Sequence, residues 1–186
     1  MSELQPGSSY TPVAKGFHWL MAILWIGAWA LGFISAHGAK VLNPDHVLTF
    51  LHKSVASTIV FLTLLRVIWR IGHRPPALPD SMSPLMRKLA HLGHLLLYAV
   101  ALLALPMSGW FLSSVADKPI LMAGFIHLPM LHGPDQSLVA TARLVHNILA
   151  WSCGLLVAGH ILVAFKHHLI DRDDILLRMI RARPAL

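Results

Sequence analysis

Residues 144–165, LVHNILAWSCGLLVAGHILVAF, decide the class of this protein. The stretch contains no Asp, Glu, Lys or Arg, and it is long enough to cross the ~30 Å hydrocarbon core of a bilayer as a helix. It nevertheless carries two ionisable side chains, His146 and His160. Their separation corresponds to ~21 Å along a helix and almost four turns, so both imidazoles lie on roughly one face at two depths. Because ionisable groups in lipid need a partner, this helix offers ligands at both depths to a metal, a charge or water.

The composition of the whole chain agrees with a membrane location. Of 186 residues, 56% are hydrophobic and only 12% are charged, whereas about a quarter of the residues in soluble domains are charged. The length fits one domain, so we predict a single membrane domain over residues 1–186. The basic pI of about 10.2 does not indicate a nucleic-acid partner, because the basic residues flank apolar runs as topology signals do.

Three further apolar runs accompany the first one, at 17–36, 47–69 and 89–116. Together the four runs predict an all-α fold, an integral membrane four-helix transmembrane bundle. The predicted helices are about 14–36, 47–70, 88–113 and 141–168. A semi-apolar outer loop is expected over roughly 117–142, as a cap on the membrane surface. In the tail 170–186, charged and apolar residues alternate, which predicts a short interfacial helix.

The distribution of basic residues predicts that both termini are cytoplasmic. With the N-terminus inside, only four of the 15 Lys and Arg residues fall on the outer side, namely Lys40, Lys53, Lys118 and Arg143. Lys and Arg concentrate on the inner side of membrane proteins, so this excess favours the multi-pass orientation with both ends inside.

The first apolar run has a rival interpretation as a cleaved signal peptide. Lys15 precedes it, and the small residues Ser35, Ala36, Gly38 and Ala39 follow it. The run is longer than a usual signal-peptide core and contains Trp25 and Trp29, so we expect it to be kept as the first helix.

Four of the 13 histidines fall into two depth-matched pairs. His52 and His146 lie near the outer ends of helices 2 and 4, whereas His18 and His160 lie toward the inner ends of helices 1 and 4. A haem with two axial histidines needs one imidazole from each of two helices at one level. We therefore predict two stacked haems. Small residues in the same helices let a flat cofactor approach the backbone, among them Gly27, Gly32, Gly93, Gly154 and Gly159.

Other interpretations of the histidines stay open at this point. His91 and His94 lie on one face near the inner start of helix 3 and are rival partners for His160. A histidine in a membrane helix can also form an interhelical hydrogen bond or belong to a proton relay. Zinc is disfavoured because no close cluster of Cys and His occurs. The single cysteine, Cys153, excludes an internal disulfide and is predicted to be a buried core residue.

Three basic residues are candidates for contacts with the cofactors. Arg66 and Arg70, near the inner end of helix 2, could pair with haem propionates, since guanidinium groups fit carboxylates. Topology anchoring by positive charge is the competing interpretation. Lys53, beside His52, is the better-placed candidate on the outer side.

Several motifs resemble those of the bacterial cytochrome b561 family, and the match covers about residues 13–180. They are GFHWL at 16–20, LHKS at 51–54, HLGHLLLY at 91–98, VHNILAW at 145–151, GHILVAFKHH at 159–168 and the tail DDILLRM at 173–179. The resemblance implies two non-covalent haem b groups in the inner membrane. It carries the axial ligands over to His18 with His160 and His52 with His146. His94 is implied to shape the inner pocket, which demotes both it and His91 as ligands.

The resemblance also implies a function. A well-known member oxidises superoxide on the periplasmic side and passes the electron to ubiquinone, so the family implies a superoxide:ubiquinone oxidoreductase in a lipid membrane. Quinone candidates at the inner end are Lys166, His167 and His168, with snorkelling of these side chains as the competing interpretation. The alternative function is a non-enzymatic cytochrome subunit that exchanges electrons with a periplasmic redox protein docked on loop 117–142. A haem-free proton or ion transporter is disfavoured because the helices lack Asp and Glu.

Overall fold

The structure, a computed structural model, describes residues 9–78 and 82–180, with the backbone alone for residues 39 and 40. Its described part contains four helices that are long and apolar enough to cross a membrane, called spans 1 to 4 here: Pro12–His37, Val47–Gly72, Pro84–Val115 and Gln136–Asp171. The predicted all-α transmembrane bundle is thereby confirmed.

The spans are joined by short elements. Span 1 is helix α1 (Pro12–His37), and span 2 is α3 (Val47–Gly72), with the one-turn helix α2 (Ala39–Leu42) between them. Span 3 consists of α4 (Pro84–Leu96), a π-helical segment (Leu97–Ala104) and α5 (Leu105–Val115). An antiparallel hairpin of β1 (Leu121–Met122) and β2 (Ile126–His127) follows. Span 4 is α6 (Gln136–Lys166) with a π-helical turn (His167–Asp171), and α7 (Ile175–Ile180) comes last.

Spans 3 and 4 begin before their predicted starts because both carry N-cap signals outside the apolar runs. Ser83 accepts a hydrogen bond from Met86 N, and Pro84 occupies the first helical position. Asp135 accepts one from Ser137 N at 2.9 Å. Residues 136–142 are therefore helical, and the predicted loop 117–142 was too long. The tail contains the short helix α7, as expected.

The two ends of the bundle differ in what covers them. At one end, called the terminal end, Ser9 Oγ donates to Arg178 O at 3.1 Å and Trp19 Nε1 donates to Met179 O at 3.1 Å, so the described ends of the chain meet there. At the other end, called the hairpin end, the hairpin turn contacts α3 through Ala123 N and Ser54 O at 3.4 Å.

The core is a narrow cluster on the axis of the bundle. Met21, Trp25, Ile59, Ala101 and Cys153 are buried and pack together between the spans. The outward faces are apolar and open, as at Ile23 and Leu155. A bundle that faces lipid needs no polar outer surface, so this pattern is typical of a membrane protein. Cys153 is buried and unpaired, as predicted.

Candidate haem sites

At the hairpin end, α3 and α6 bring His52 and His146 together. Their ring centroids are 6.2 Å apart and the ring planes are inclined by 71°. Both side chains are half-buried inside the bundle. Both residues lie near the N-terminal ends of their helices, and spans 2 and 4 run in the same direction, so the packing of these two spans places the histidines at one level.

At the terminal end, α1 and α6 bring His18 and His160 together in the same way. The ring centroids are again 6.2 Å apart, with an interplanar angle of 66°. His94 on α4 also approaches His160, at 5.6 Å and 83°, and its Nδ1 donates to Ala90 O at 2.7 Å. His91 is exposed on the same helix, with its Nδ1 bonded to Arg87 O.

The spacing of both pairs fits an iron ion with two axial imidazoles. A coordinating ring nitrogen lies about 2 Å from a first-row metal and roughly 1.1 Å from its own ring centroid, so a linear arrangement separates the two centroids by about 6.3 Å. Packed aromatic rings also show centroid separations of about 4.5–7 Å, so the supporting observation is that the same separation recurs at two separate levels. The contact of His94 with His160, at 5.6 Å, is shorter than this separation.

Hydrogen bonds hold the two rings at the hairpin end. His52 Nδ1 lies 2.7 Å from Ala28 O, an acceptor, so this nitrogen donates. His146 Nδ1 lies 2.9 Å from Ser108 Oγ, and the Ser108 hydroxyl itself donates to Leu105 O at 2.7 Å. The hydroxyl oxygen therefore accepts from His146. In both rings Nε2 is left for a ligand, which is the arrangement that second-shell partners give to metal-binding histidines.

Glycines make room for the same two rings. A Cβ on Gly32 of α1 would lie 2.8 Å from Cε1 of His52, and a Cβ on Gly109 of α5 would lie 3.0 Å from Cε1 of His146. Any larger residue would push the imidazole away from its position. Gly32 is one of the small residues predicted from the sequence to make room for a flat cofactor. Ser108 and Gly109 were not predicted, because nothing in the local sequence links them to His146.

The terminal end carries a cluster of Arg and Tyr side chains. The guanidinium groups of Arg66 and Arg70 lie over the Tyr98 ring, at 5.2 and 5.6 Å from its centroid. Arg66 also interacts electrostatically with His18 and His160. Next to the cluster, burial raises the pKa of the Tyr10 phenol, against the opposing effect of Arg70. Arg66 thus lies close to the terminal-end histidine pair, and Arg70 lies beside it over Tyr98.

Lys53 lies beside His52 and is tied to the loop. Its Nζ donates to Lys118 O at 3.2 Å and to Pro119 O at 3.1 Å. Its position among carbonyl oxygens keeps a positive charge near the hairpin-end pair. The other outer basic residues, Lys118 and Arg143, are exposed, and the side chain of Lys40 lies outside the described part.

The three quinone candidates differ in their surroundings. Lys166 Nζ contacts both carboxylate oxygens of Asp171, at 2.6 and 2.8 Å. His167 is buried, and its Nδ1 bonds Asp173 at 2.6 Å. His168 is half-buried. The first two are thus already engaged in ion pairs or hydrogen bonds at the terminal end.

A four-helix membrane bundle with imidazole pairs facing each other across its interior defines a membrane cytochrome. Comparison with known families agrees, since the sequence model of prokaryotic cytochrome b561 matches residues 9–182. The chain belongs to the prokaryotic cytochrome b561 family. Members of this family bind b-type haem and transfer electrons, and their multi-pass bundle lies in the inner membrane.

Curated relatives cover nearly the whole chain. Cytochrome b561 homolog 2 of Escherichia coli K12 is 35% identical over 180 residues, which cover 97% of this chain and 95% of the relative. The probable superoxide oxidase CybB of Yersinia pestis is 28% identical over 170 residues, or 91% and 94% of the two chains. Cytochrome b561 homolog 1 of Escherichia coli K12 is 29% identical over 132 residues, or 71% and 74%.

Proposed function

We propose that this protein holds two haem b groups and carries single electrons across the cytoplasmic membrane, from a periplasmic donor such as superoxide to ubiquinone. The observation that carries the proposal is the repetition of one geometry at two depths. His52 with His146 and His18 with His160 have equal centroid spacings of 6.2 Å. Because His146 and His160 are ~21 Å apart along one helix, the two sites form a path through the bilayer.

The residues of this chain would divide the work as follows. The four histidines hold the iron ions without covalent attachment of the porphyrin, and His94 shapes the pocket around His160. Hydrogen bonds from Nδ1 of His52 and His146 fix the ring orientation and raise the basicity of the liganding nitrogen. When bound, haem b supplies a reversible one-electron couple, whose potential depends on the axial ligands and on burial.

A pair of histidines at each site favours electron transfer over oxygen chemistry. A haem iron held by both histidines of a pair would leave no position for dioxygen or peroxide. Arg66 and Arg70 supply positive charge at the terminal end, where they would pair with haem propionates. Their stacking on Tyr98 holds both guanidinium groups near this site.

The hairpin end is the proposed entry for the electron. Superoxide is a small anion, so a positive charge close to the site would increase its encounter rate. Lys53 is such a charge, since it follows His52 directly and its Nζ is held by loop carbonyls. The likeness to a probable superoxide oxidase supports superoxide as the donor.

The terminal end is the proposed exit, on the cytoplasmic side with both chain termini. A quinone would need an apolar slot open to lipid and a hydrogen-bond donor beside the inner site. Lys166, His167 and His168 are the proposed donors. The His167 pair with Asp173 could pass a proton to a reduced quinone.

A turnover measurement tests this function. The purified protein, in vesicles with ubiquinone, is supplied with superoxide, and ubiquinol formation is followed. We expect one ubiquinol to form for every two superoxide anions oxidised to dioxygen, with uptake of two protons. The rate should fall as ionic strength rises because the donor is an anion. Reversible haem reduction without turnover of either substrate would contradict the oxidase proposal and favour the non-enzymatic subunit.

A further inference from the structure

The hairpin between spans 3 and 4 reaches unusually far along span 2. In its turn, Ala123 N donates to Thr58 Oγ1 at 3.1 Å and to Ser54 O at 3.4 Å. Thr58 lies ~16 Å from the start of α3 at Val47. The turn of the hairpin therefore lies well below the end of the helix, on its outer surface.

The length of α3 places this contact within the bilayer. The helix is 26 residues long, or ~39 Å, and the hydrocarbon core is ~30 Å thick. The helix is thus ~9 Å longer than the core is thick. Even if all of this extra length extended beyond the core at the hairpin end, Thr58 would lie ~7 Å inside the core. Arg66 and Arg70 lie near the opposite end of α3 and favour an aqueous location for that end, which places Thr58 deeper still.

The hairpin is suited to lipid in its composition. Residues 119–130, PILMAGFIHLPM, contain no Asp, Glu, Lys or Arg. Phe125 lies in the turn and its side chain is 75% exposed, and Ile126 and Met130 are exposed as well. Transfer of this exposed apolar surface from water to lipid is favourable.

The amide N–H groups of the turn also meet the requirement for a non-aqueous location. A non-helical segment at membrane depth must satisfy its polar groups within the protein. Beside the two bonds of Ala123 N, Gly124 N donates to Leu121 O at 3.1 Å and Phe125 N to Met122 O at 3.2 Å. The positive φ angles of Ala123 and Gly124 allow this closed turn. Every amide of the turn thus has a protein acceptor and needs no water.

We propose that the tip of the hairpin, residues 122–126, is inserted among the lipid acyl chains of the leaflet at the hairpin end, with Phe125 as its lipid-contacting anchor. The partner of this surface is the bilayer itself, because the hairpin is held at membrane depth beside a spanning helix. The inference depends on the bundle crossing the membrane and is independent of the donor and the quinone.

Site-directed spin labelling tests the insertion. In a Cys153→Ala background, which removes the single native thiol, a nitroxide is attached to Phe125→Cys and the full-length protein is placed in phosphatidylcholine–phosphatidylglycerol vesicles. Collisions with dioxygen, which partitions into lipid, are compared with collisions with a water-soluble nickel chelate. Matched labels at Leu155→Cys on the outer face of α6 and at Gly133→Cys, where a Cβ meets no atom within 4 Å, serve as lipid and water references.

We expect the label at position 125 to behave like that at 155, with frequent dioxygen collisions and a loss of nickel-chelate collisions relative to position 133. Chelate access equal to that at position 133 would overturn the proposal, because the hairpin would then lie in water. Shielding from both reagents would also overturn it, since a protein surface such as a second copy would then cover Phe125.

Discussion

His52 and His146 are each oriented by a partner on a neighbouring helix. Ala28 O holds the first ring, and Ser108 Oγ holds the second. Gly32 and Gly109 leave just enough room for the imidazoles to reach these positions. At the residue scale, the site at the hairpin end thus depends on four residues that are not themselves iron ligands, namely Ala28, Gly32, Ser108 and Gly109.

Enlarging one glycine should disturb one haem site. In Gly32→Ala the new Cβ would lie 2.8 Å from Cε1 of His52, so the ring must move. We expect reduced haem occupancy or an altered α-band from the hairpin-end site alone, measured by the reduced-minus-oxidised spectrum. Gly72→Ala, at the exposed far end of α3, is the matched control, because its Cβ meets no atom within 4 Å. Equal spectra of the two variants would argue against this packing.

Ionisation of the Tyr10 phenol should reduce the stability of the folded protein at alkaline pH. Burial raises its pKa above the usual 10.0, so the folded state favours the neutral form. This contribution to stability is complete below pH 10.0 and is lost as pH rises through the raised folded pKa. Tyr10→Phe should therefore lose less thermal stability in that range than the unmodified protein. Phenolate absorption in a Tyr98→Phe background, where Tyr10 is the single tyrosine, gives its pKa directly, and a value at or below 10.0 would contradict the burial effect.

Span 3 illustrates how an element depends on its neighbours. Leu105 N donates to Val100 O, five residues earlier, as in a π-helix. In the same pattern, Ala101 O would accept a hydrogen bond from the backbone N–H of residue 106. That residue is Pro106, which has no N–H. Trp25 Nε1 donates to Ala101 O at 2.9 Å. A donor on span 1 thus replaces the hydrogen bond that proline removes.

Loss of the Trp25 donor should destabilise the bundle. Trp25→Phe leaves the buried Ala101 carbonyl without its partner, which costs roughly 1–3 kcal/mol. The measurement is thermal unfolding in detergent, followed by circular dichroism. Trp29→Phe is the control, since Trp29 Nε1 donates to Ala150 O inside the regular helix α6, where the carbonyl keeps its helical bond. A smaller loss for Trp25→Phe than for Trp29→Phe would contradict this account.

At the scale of elements, the sequence could predict features that depend on one span alone, but not those that depend on contacts between spans. Apolar length identified the spans, because lipid exposure requires it over the whole helix. It placed the starts of spans 3 and 4 too late, since Ser83 and Asp135 are polar cap residues outside the runs. The π-helical segment and the depth of the hairpin depend on contacts with Trp25 and Thr58 from other spans, which local sequence does not reveal.

At the scale of the whole molecule, the bundle connects two sites at different depths. The depth ordering of His18, His52, His146 and His160 could be predicted, because helical rise fixes depth once the spans are known. The roles of Ser108 and Gly109 could not, since they depend on how α5 packs against α6. The Tyr98 cluster was also unforeseen, because it requires spans 2 and 3 to face each other.

The direction of electron flow across the membrane depends on which end of the bundle faces the cytoplasm. We expect both termini in the cytoplasm, because basic residues concentrate at that end. A C-terminal fusion to green fluorescent protein should fluoresce, and a fusion to alkaline phosphatase at the same position should be inactive. Fusions of both reporters after Gly133 in truncated chains are the opposite control. Active phosphatase at the C-terminus would reverse the proposed direction.

The most direct test of the central claim is the haem content of single-ligand variants. The full-length protein, purified in detergent after expression with ample haem, should contain two non-covalent low-spin b-type haems per chain. His146→Ala should lose the hairpin-end haem and keep the other largely intact, because His18 and His160 form a separate pair. A colourless protein, or a His146→Ala variant that keeps both haems or loses only the signal of the terminal-end site, would contradict the account.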